Sequence, residues 1–187
     1  MRSEPMTRGH QERLGPMARE VMLAAGLEFE AVQRIAVTIG PGSFTGLRVG
    51  LAFAKGLGLA LGIPLAGIGT LEALAGVSAG RCAAVIDGGR GRVYVQAFLG
   101  EAVNQPASLE IGEAGAALRV LLGDEARLTG PGGPLLAPLL PRWEVESRAA
   151  PDPLVLARLA ANRPLQTAQP LYLRPPDATP KALRQPQ

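Results

Sequence analysis

Apolar and polar positions along the first 80 residues predict helices and strands in alternation. From His10 to Gly26, apolar residues recur at helical spacing, which predicts an amphipathic helix that stops at Gly26. The runs RIAVTIG, 34–40, and IPLAGIGT, 63–70, are short and apolar, and each predicts a buried strand. A second helix is predicted between them, from about Thr45 to Gly62, and Thr70 is expected to cap a third. This alternation is typical of an α/β fold with a parallel sheet.

The pattern then changes to a hairpin. CAAVIDGGRGRVYVQAF, 82–98, contains two strand-like runs around a tight loop at Gly88–Gly91, which predicts a β-hairpin. The weaker elements after it are predicted helices at 112–122 and 152–161 and short strands at 126–129, 143–146 and 170–173. We therefore expect a first α/β lobe over 1–80, a second lobe that begins with the hairpin over 81–174, and a proline-rich tail, 175–187, without fixed structure.

Composition narrows the classes of function. Of 187 residues, 47% are hydrophobic and only 4% are aromatic, so the core must be built from aliphatic side chains. The net charge is +3 with acidic and basic residues interspersed, which argues against a strong nucleic-acid surface. One histidine and one cysteine cannot form a closed zinc site within the chain, so we expect no metal and no cofactor. The longest uncharged apolar stretch, 56–71, is shorter than a bilayer span, and a cytoplasmic protein is expected.

The turn GPGSFTGLR, 40–48, joins the first predicted strand to the second helix. It is not a Walker A loop, because no Gly-Lys-Ser/Thr follows the first glycine at the required spacing. It is not the dinucleotide fingerprint, because the third glycine comes one residue late and Pro41 lies between the first two. Backbone N–H groups at such a turn suit an anion, but turn geometry alone or a protein interface would equally account for the glycines. The candidate anion or backbone-turn site comprises Gly40, Gly42, Ser43 and Thr45, with Ser43 or Thr45 as the helix cap.

The helix after this turn carries small residues four positions apart. They are Gly46, Gly50, Ala54, Gly58 and Gly62. Glycine inside a helix costs up to about 1 kcal/mol relative to alanine, so close packing is expected to offset it. A groove of small residues can receive either the chain's own sheet or the helix of a partner, and both alternatives stay open.

Five segments resemble the TsaB family in sequence, order and approximate spacing. GPGSFTGLRVGLAFAKGLGLAL, 40–61, looks like the family signature, and RGHQERLGPMA, 8–18, is similar to its first helix. IPLAGIGTLEALA, AAVIDGGRGRVYVQAF and PLYLRP follow in the family's order. The resemblance implies an actin-like architecture of two ribonuclease-H-like α/β lobes, with the second lobe abbreviated.

The same resemblance implies a role in transfer-RNA modification. TsaB proteins are non-catalytic partners of the catalytic paralogue TsaD, joined by the ATPase TsaE, in threonylcarbamoylation of the adenosine that follows the anticodon in tRNAs reading codons that begin with A. Contact with tRNA is then indirect, no membrane is involved, and a homodimer is a candidate assembly when the chain is alone. The expected interface comprises Leu14, Met17, Val21, Gly46, Leu47, Gly50, Leu51, Ala54 and Gly58.

The catalytic paralogue holds its metal through two histidines four positions apart on a helix. At the matching positions this chain has His10 and Leu14, so the pair is broken and no catalytic residue is expected. The alternative function is that of an actin-like nucleotide hydrolase or a glycoprotease-like (M22) peptidase. Asp87 beside Gly88 is the residue that a phosphate site would use, although an aspartate in a hairpin loop more often serves the turn.

The chain departs from the family at its start. Family members open with about thirty further residues, a hairpin whose first strand ends in Asp-Thr-Ser or a similar motif. The expectation is therefore that the first lobe lacks its N-terminal strands in this sequence, and that the recorded start is an internal codon.

Overall fold

The computed structural model describes residues 2, 4, 9–76, 80–161, 163 and 168–173. The helices are α1 (His10–Ala25), α2 (Phe44–Leu61), α3 (Thr70–Ala75), α4 (Ile111–Leu122), α5 (Gly133–Leu136) and α6 (Pro153–Ala161). The strands are β1 (Ile35–Gly40), β2 (Leu65–Gly69), β3 (Arg81–Gly89), β4 (Arg92–Leu99), β5 (Glu101–Ala102), β6 (Ala107–Glu110), β7 (Arg127–Thr129) and β8 (Glu144–Glu146). The predicted unstructured tail, 175–187, lies outside the described residues.

The first sheet is a parallel pair, β1 and β2, in which Ile35 lies opposite Leu65. Helix α2 packs on β1 and β2, and α6 and α3 also pack on this pair. Side chains along a strand alternate between the two faces of a sheet. On the face that α6 covers, Ala66 and Ile68 of β2 are buried with Ala160 of α6. The predicted helices and strands of this region and their parallel pairing are thus confirmed.

The second sheet has six strands in the order β5-β4-β3-β7-β8, with β6 also paired to β4. β3 and β4 form the predicted antiparallel hairpin, while β7 and β8 run parallel to β3. On one face, Val85 and Val95 are buried with Leu118 of α4. On the other face, Cys82 is buried with Leu71 of α3, so α3 lies between the hairpin and the first sheet.

Two predicted features differ in the structure. Thr70 is not a cap, because β2 runs to Gly69 and Thr70 is already the first residue of α3. Its hydroxyl is buried without a hydrogen-bond partner. The predicted strand at 170–173 is wrong, because these residues form no ladder of hydrogen bonds with β1. Only the Leu171 N–H bonds to β1, donating to the Ile39 carbonyl at 2.7 Å, and Pro170 has no N–H with which to continue a ladder.

Arginine side chains close several helix ends. Arg81 donates to the carbonyl oxygen of Leu122 at 3.1 Å, at the end of α4. Arg34, just before β1, donates to the carbonyls of Ala160, Ala161 and Arg163 at the end of α6. These contacts satisfy carbonyls that have no partner within the helix and place a positive charge at the negative end of its dipole.

Candidate partner surface

The face formed by α1 and α2 carries an open groove of about 530 Å³. Helix α1 packs against α2, and α2 in turn packs on β1. The groove between the two helices has apolar walls from Leu23, Phe29, Phe53 and Leu57, with Arg19 and Glu20 as its charged residues. We call this face, with the groove and the residues around it, the α1–α2 face.

Leucine side chains are unusually exposed along the α1–α2 face. Leu23 is 71% exposed and Leu27, just after α1, is 52% exposed. Leu59 is 86% exposed, but it lies one turn after Lys55, on a different side of α2 from Phe53 and Leu57. Apolar side chains clustered at the surface mark sites of contact with other molecules. Neither Leu23 nor Leu27 is among the predicted interface residues, because Leu23 falls outside the side of α1 that carries Leu14, Met17 and Val21, and Leu27 lies beyond the end of the helix.

The expected interface residues on α2 divide into two groups. Leu47, Leu51, Ala54 and Gly58 are buried, and they form the side of the helix that lies on the first sheet. Gly46 is exposed and Gly50 half-buried, and a Cβ added at Gly50 would meet nothing within 4 Å. On α1, Leu14, Met17 and Val21 are all half-buried. The alternative of packing on the chain's own sheet is thus confirmed for Ala54 and Gly58, and contact of Gly46 and Gly50 with a partner stays a prediction.

α2 is long and apolar enough, by length and composition, to cross a membrane. Among the residues that the structure describes it is the one helix of this kind. It carries the exposed charges of Arg48 and Lys55 and packs on a sheet of the same chain. Length and composition of this kind also belong to a helix that covers a core on one side and a partner on the other.

The turn before α2 is built by backbone geometry. Ser43 is the N-cap, and its hydroxyl accepts a hydrogen bond from the Gly46 N–H at 3.3 Å, which confirms one of the two predicted caps. Gly40 has a φ of 114°, a region that favours glycine. A small cavity of about 220 Å³ opens beside Gly42, Ser43 and Gly46, while Thr45 is exposed. Cap chemistry accounts for Ser43, and an anion at this turn stays a prediction.

Acidic and metal-binding side chains do not converge in the described part of the chain. No group of three or more histidine, cysteine, aspartate or glutamate residues there is placed to hold a metal ion. Asp87 is exposed, and its Oδ1 accepts a hydrogen bond from the Gly89 N–H at 2.7 Å. This is the turn role that the sequence favoured for Asp87.

Cys82 lies in the core rather than in a site. It is 1% exposed, and burial raises the pKa of its thiol above the ordinary value, against the opposing effect of a hydrogen bond from Arg127. A raised pKa keeps the thiol protonated at neutral pH, and the protonated form is a poor nucleophile.

We therefore expect Cys82 to react slowly with a thiol reagent in the folded protein and rapidly after denaturation. The measurement is the absorbance of the released chromophore over time at pH 7, with and without denaturant. Rapid stoichiometric labelling of the native protein would show that Cys82 is accessible, contrary to its place in the core.

Comparison with known proteins places these features in context. Residues 4–140 match the family model described as TsaD, tRNA N6-adenosine threonylcarbamoyltransferase. An uncharacterized protein of Mycobacterium tuberculosis H37Rv is 37% identical over 183 residues, covering 94% of this chain and 80% of that protein. The tRNA threonylcarbamoyladenosine biosynthesis protein TsaB of Escherichia coli K12 is 36% identical over 92 residues, covering 46% of this chain and 40% of TsaB.

A solved structure from Pseudomonas aeruginosa has a similar fold. It is described as an uncharacterized protein with similarity to the peptidase YEAZ. It superposes with a TM-score of 0.75 at 28% sequence identity, covering 91% of this chain and 87% of that structure.

Proposed function

Since the chain belongs to the family described as TsaD, tRNA N6-adenosine threonylcarbamoyltransferase, and is TsaB-like within it, we propose that it acts as a non-catalytic subunit. Its α/β fold is of the actin-like class. Family membership supports a role in the biosynthesis of threonylcarbamoyladenosine on tRNA. In the proposed role, the chain binds a TsaD-type catalytic paralogue in the cytoplasm, an ATPase of the TsaE type joins them, and tRNA is contacted through the complex.

The observation that carries this proposal is the apolar character of the α1–α2 face. A groove walled by Leu23, Phe29 and Phe53, beside highly exposed leucines, suits an apolar helix of another protein. Gly46 and Gly50 leave room for a close approach at one end of α2. The buried residues Leu47, Leu51, Ala54 and Gly58 then support the interface from beneath by fixing α2 on its own sheet.

A non-catalytic role is supported by the residues available for chemistry. The whole chain has a single histidine, His10, and a single cysteine, Cys82, which lies in the core. Asp87 is engaged in its own turn. Neither a nucleotide hydrolase nor a peptidase is favoured over the binding subunit by these residues, and the catalytic step is assigned to the partner.

The test is binding to the TsaD-type paralogue of the same organism, measured by calorimetric titration with purified proteins. We expect wild type to bind and Leu23→Asp to bind at least about tenfold more weakly, because a charge would then be placed in an apolar contact. The matched control is Leu154→Asp on α6, where the leucine is 64% exposed against 71% at Leu23.

Equal melting temperatures for both variants would show that the change at Leu23 acts on binding and not on folding. The interface is misplaced if folded Leu23→Asp binds as well as wild type, or if Leu154→Asp weakens binding as much as Leu23→Asp does. The subunit role itself is wrong if the folded wild-type protein fails to bind the paralogue at micromolar concentrations.

A further inference from the structure

Arg163, just after α6, makes two contacts with other elements of the chain. Arg163 forms an ion pair with Glu72 of α3. The guanidinium of Arg34 donates to the Arg163 carbonyl oxygen at 3.0 Å, next to the start of β1. The next described residue is Ala168, which is 2% exposed and packs on Gly67 of β2. Arg163 contacts α3 and Arg34, and Ala168 is buried on β2.

Residues 168–173 press on the backbone of the first sheet. A Cβ at Gly67 of β2 would lie 3.3 Å from the Ala168 Cα. A Cβ at Gly40 would lie 2.6 Å from the Leu171 carbonyl oxygen, so this approach requires glycine. The Leu171 N–H donates to the Ile39 carbonyl at 2.7 Å. The contact therefore joins residues 168–173 to the end of β1 by both packing and a hydrogen bond.

A stack of side chains extends the contact to α2. The ring of Tyr172 lies 5.1 Å, centroid to centroid, from the ring of Phe44, the first residue of α2. The guanidinium carbon of Arg48 lies 4.5 Å from the centroid of the Phe44 ring. Aromatic pairs and cation–π contacts of this geometry are attractive. Phe44 thus contacts both a side chain of its own helix and one from 168–173.

We propose that residues 168–173 form a strap whose docking fixes the turn at 40–44 and, with it, the N-terminal end of α2. Gly46 and Gly50 lie in the first two helical turns of α2. A docked strap therefore sets the shape of this end of the α1–α2 face. Loss of the strap contact loosens that end while α1, the groove and the second sheet keep their own packing. The consequence for partner binding rests on the function proposed above.

The first test is hydrogen exchange of the full chain carrying Tyr172→Ala, with Tyr172→Phe and Val120→Ala as controls. Tyr172→Phe keeps the ring, and Val120 is 87% exposed on α4, remote from the strap. We expect the amides of Leu171, Gly46 and Leu47, which donate to the Ile39 carbonyl, the Ser43 hydroxyl and the Ser43 carbonyl, to exchange about three- to tenfold faster in Tyr172→Ala, as the loss of one aromatic pair implies. The two controls should exchange as wild type does, and amides of the second sheet should be unchanged in all variants.

Exchange at these three amides that is the same in Tyr172→Ala and wild type would overturn the strap. A second variant, Gly40→Ala, attacks the same contact from the other side, because its methyl group would collide with the Leu171 carbonyl. Faster exchange at Leu171 in Gly40→Ala, with the second sheet still protected, supports the strap. Protection of Leu171 that survives in Gly40→Ala overturns it.

Titration of Tyr172→Ala with the catalytic paralogue gives the second test. We expect Tyr172→Ala to bind the paralogue about three- to tenfold more weakly than wild type, the same factor as the change in exchange rate, and Tyr172→Phe to bind as wild type does. Wild-type affinity in Tyr172→Ala would overturn the link between strap and partner surface. Failure of the wild-type chain itself to bind contradicts the proposed function, and the exchange experiment still decides the strap.

Discussion

Leucine at Gly58 is expected to destabilise the fold, whereas leucine at Gly50 leaves the fold intact and blocks the partner. A Cβ at Gly58 would collide with Leu65 Cδ1 and lie 3.1 Å from the Ile63 carbonyl oxygen. Overpacking of this kind costs about 1–3 kcal/mol, and a larger side chain cannot be relieved by turning Leu65 alone. At Gly50 a Cβ would meet nothing within 4 Å and a small cavity lies beside it, and removing glycine from the helix favours folding by up to about 1 kcal/mol.

The two replacements are matched, because both put the same side chain into the same helix. Thermal melts should place Gly58→Leu below wild type and Gly50→Leu at or slightly above it. Calorimetric titration with the paralogue should show binding of Gly50→Leu reduced by at least about a hundredfold, since the leucine would occupy space needed by the partner's helix. Undiminished binding by folded Gly50→Leu would mean that the partner does not approach this part of α2.

Alanine at Gly132 is expected to cause a large loss of stability from a single methyl group. The added Cβ would lie 2.8 Å from the backbone carbon of Ile86, 2.8 Å from Val85 Cγ1 and 2.9 Å from the backbone nitrogen of Asp87. Two of these contacts are backbone atoms of β3, which cannot turn aside. The φ of Gly132 is −88°, so the cost is steric and not conformational.

We expect Gly132→Ala to lower the free energy of unfolding by about 3 kcal/mol, roughly 6–12 °C in melting temperature for a chain of this size. Gly112→Ala in α4 is the control, because a Cβ there meets nothing within 4 Å and alanine favours the helix. Melts followed by circular dichroism give both values. A Gly132→Ala variant as stable as Gly112→Ala would show that the loop after β7 does not pack closely on β3.

Local chemistry predicted the elements whose signals are local. The period of α1, the serine cap at Ser43 and the hairpin around Arg90 and Gly91 each depend on residues close together in sequence, and the structure confirms them. β6 was missed because Ala107–Glu110 lacks β-branched residues and becomes a strand only through pairing with β4. The strand expected at 170–173 was wrong for the opposite reason, since its apolar sequence packs without forming a ladder.

The candidate site was predictable only in part. The four-residue spacing on α2 identified a stripe that packs closely on something, but spacing alone cannot say which part of the stripe faces the sheet and which faces out. That division follows from the position of Leu65 beneath Gly58, which is a contact between elements. The exposure of Leu23 and Leu27 likewise depends on the angle at which α1 crosses α2.

The arginines that close helix ends change the meaning of the chain's high isoelectric point. The sequence pI is about 9.6, yet Arg34 and Arg81 point their guanidinium groups at carbonyl oxygens of the same chain. Arg119 does the same with the carbonyl oxygen of Leu139 at 2.7 Å. The planar guanidinium offers five N–H donors in a fixed fork, so one side chain can bond to more than one carbonyl. Some of the chain's basic residues thus fasten its own helix ends, and the high isoelectric point alone does not indicate a surface for polyanions.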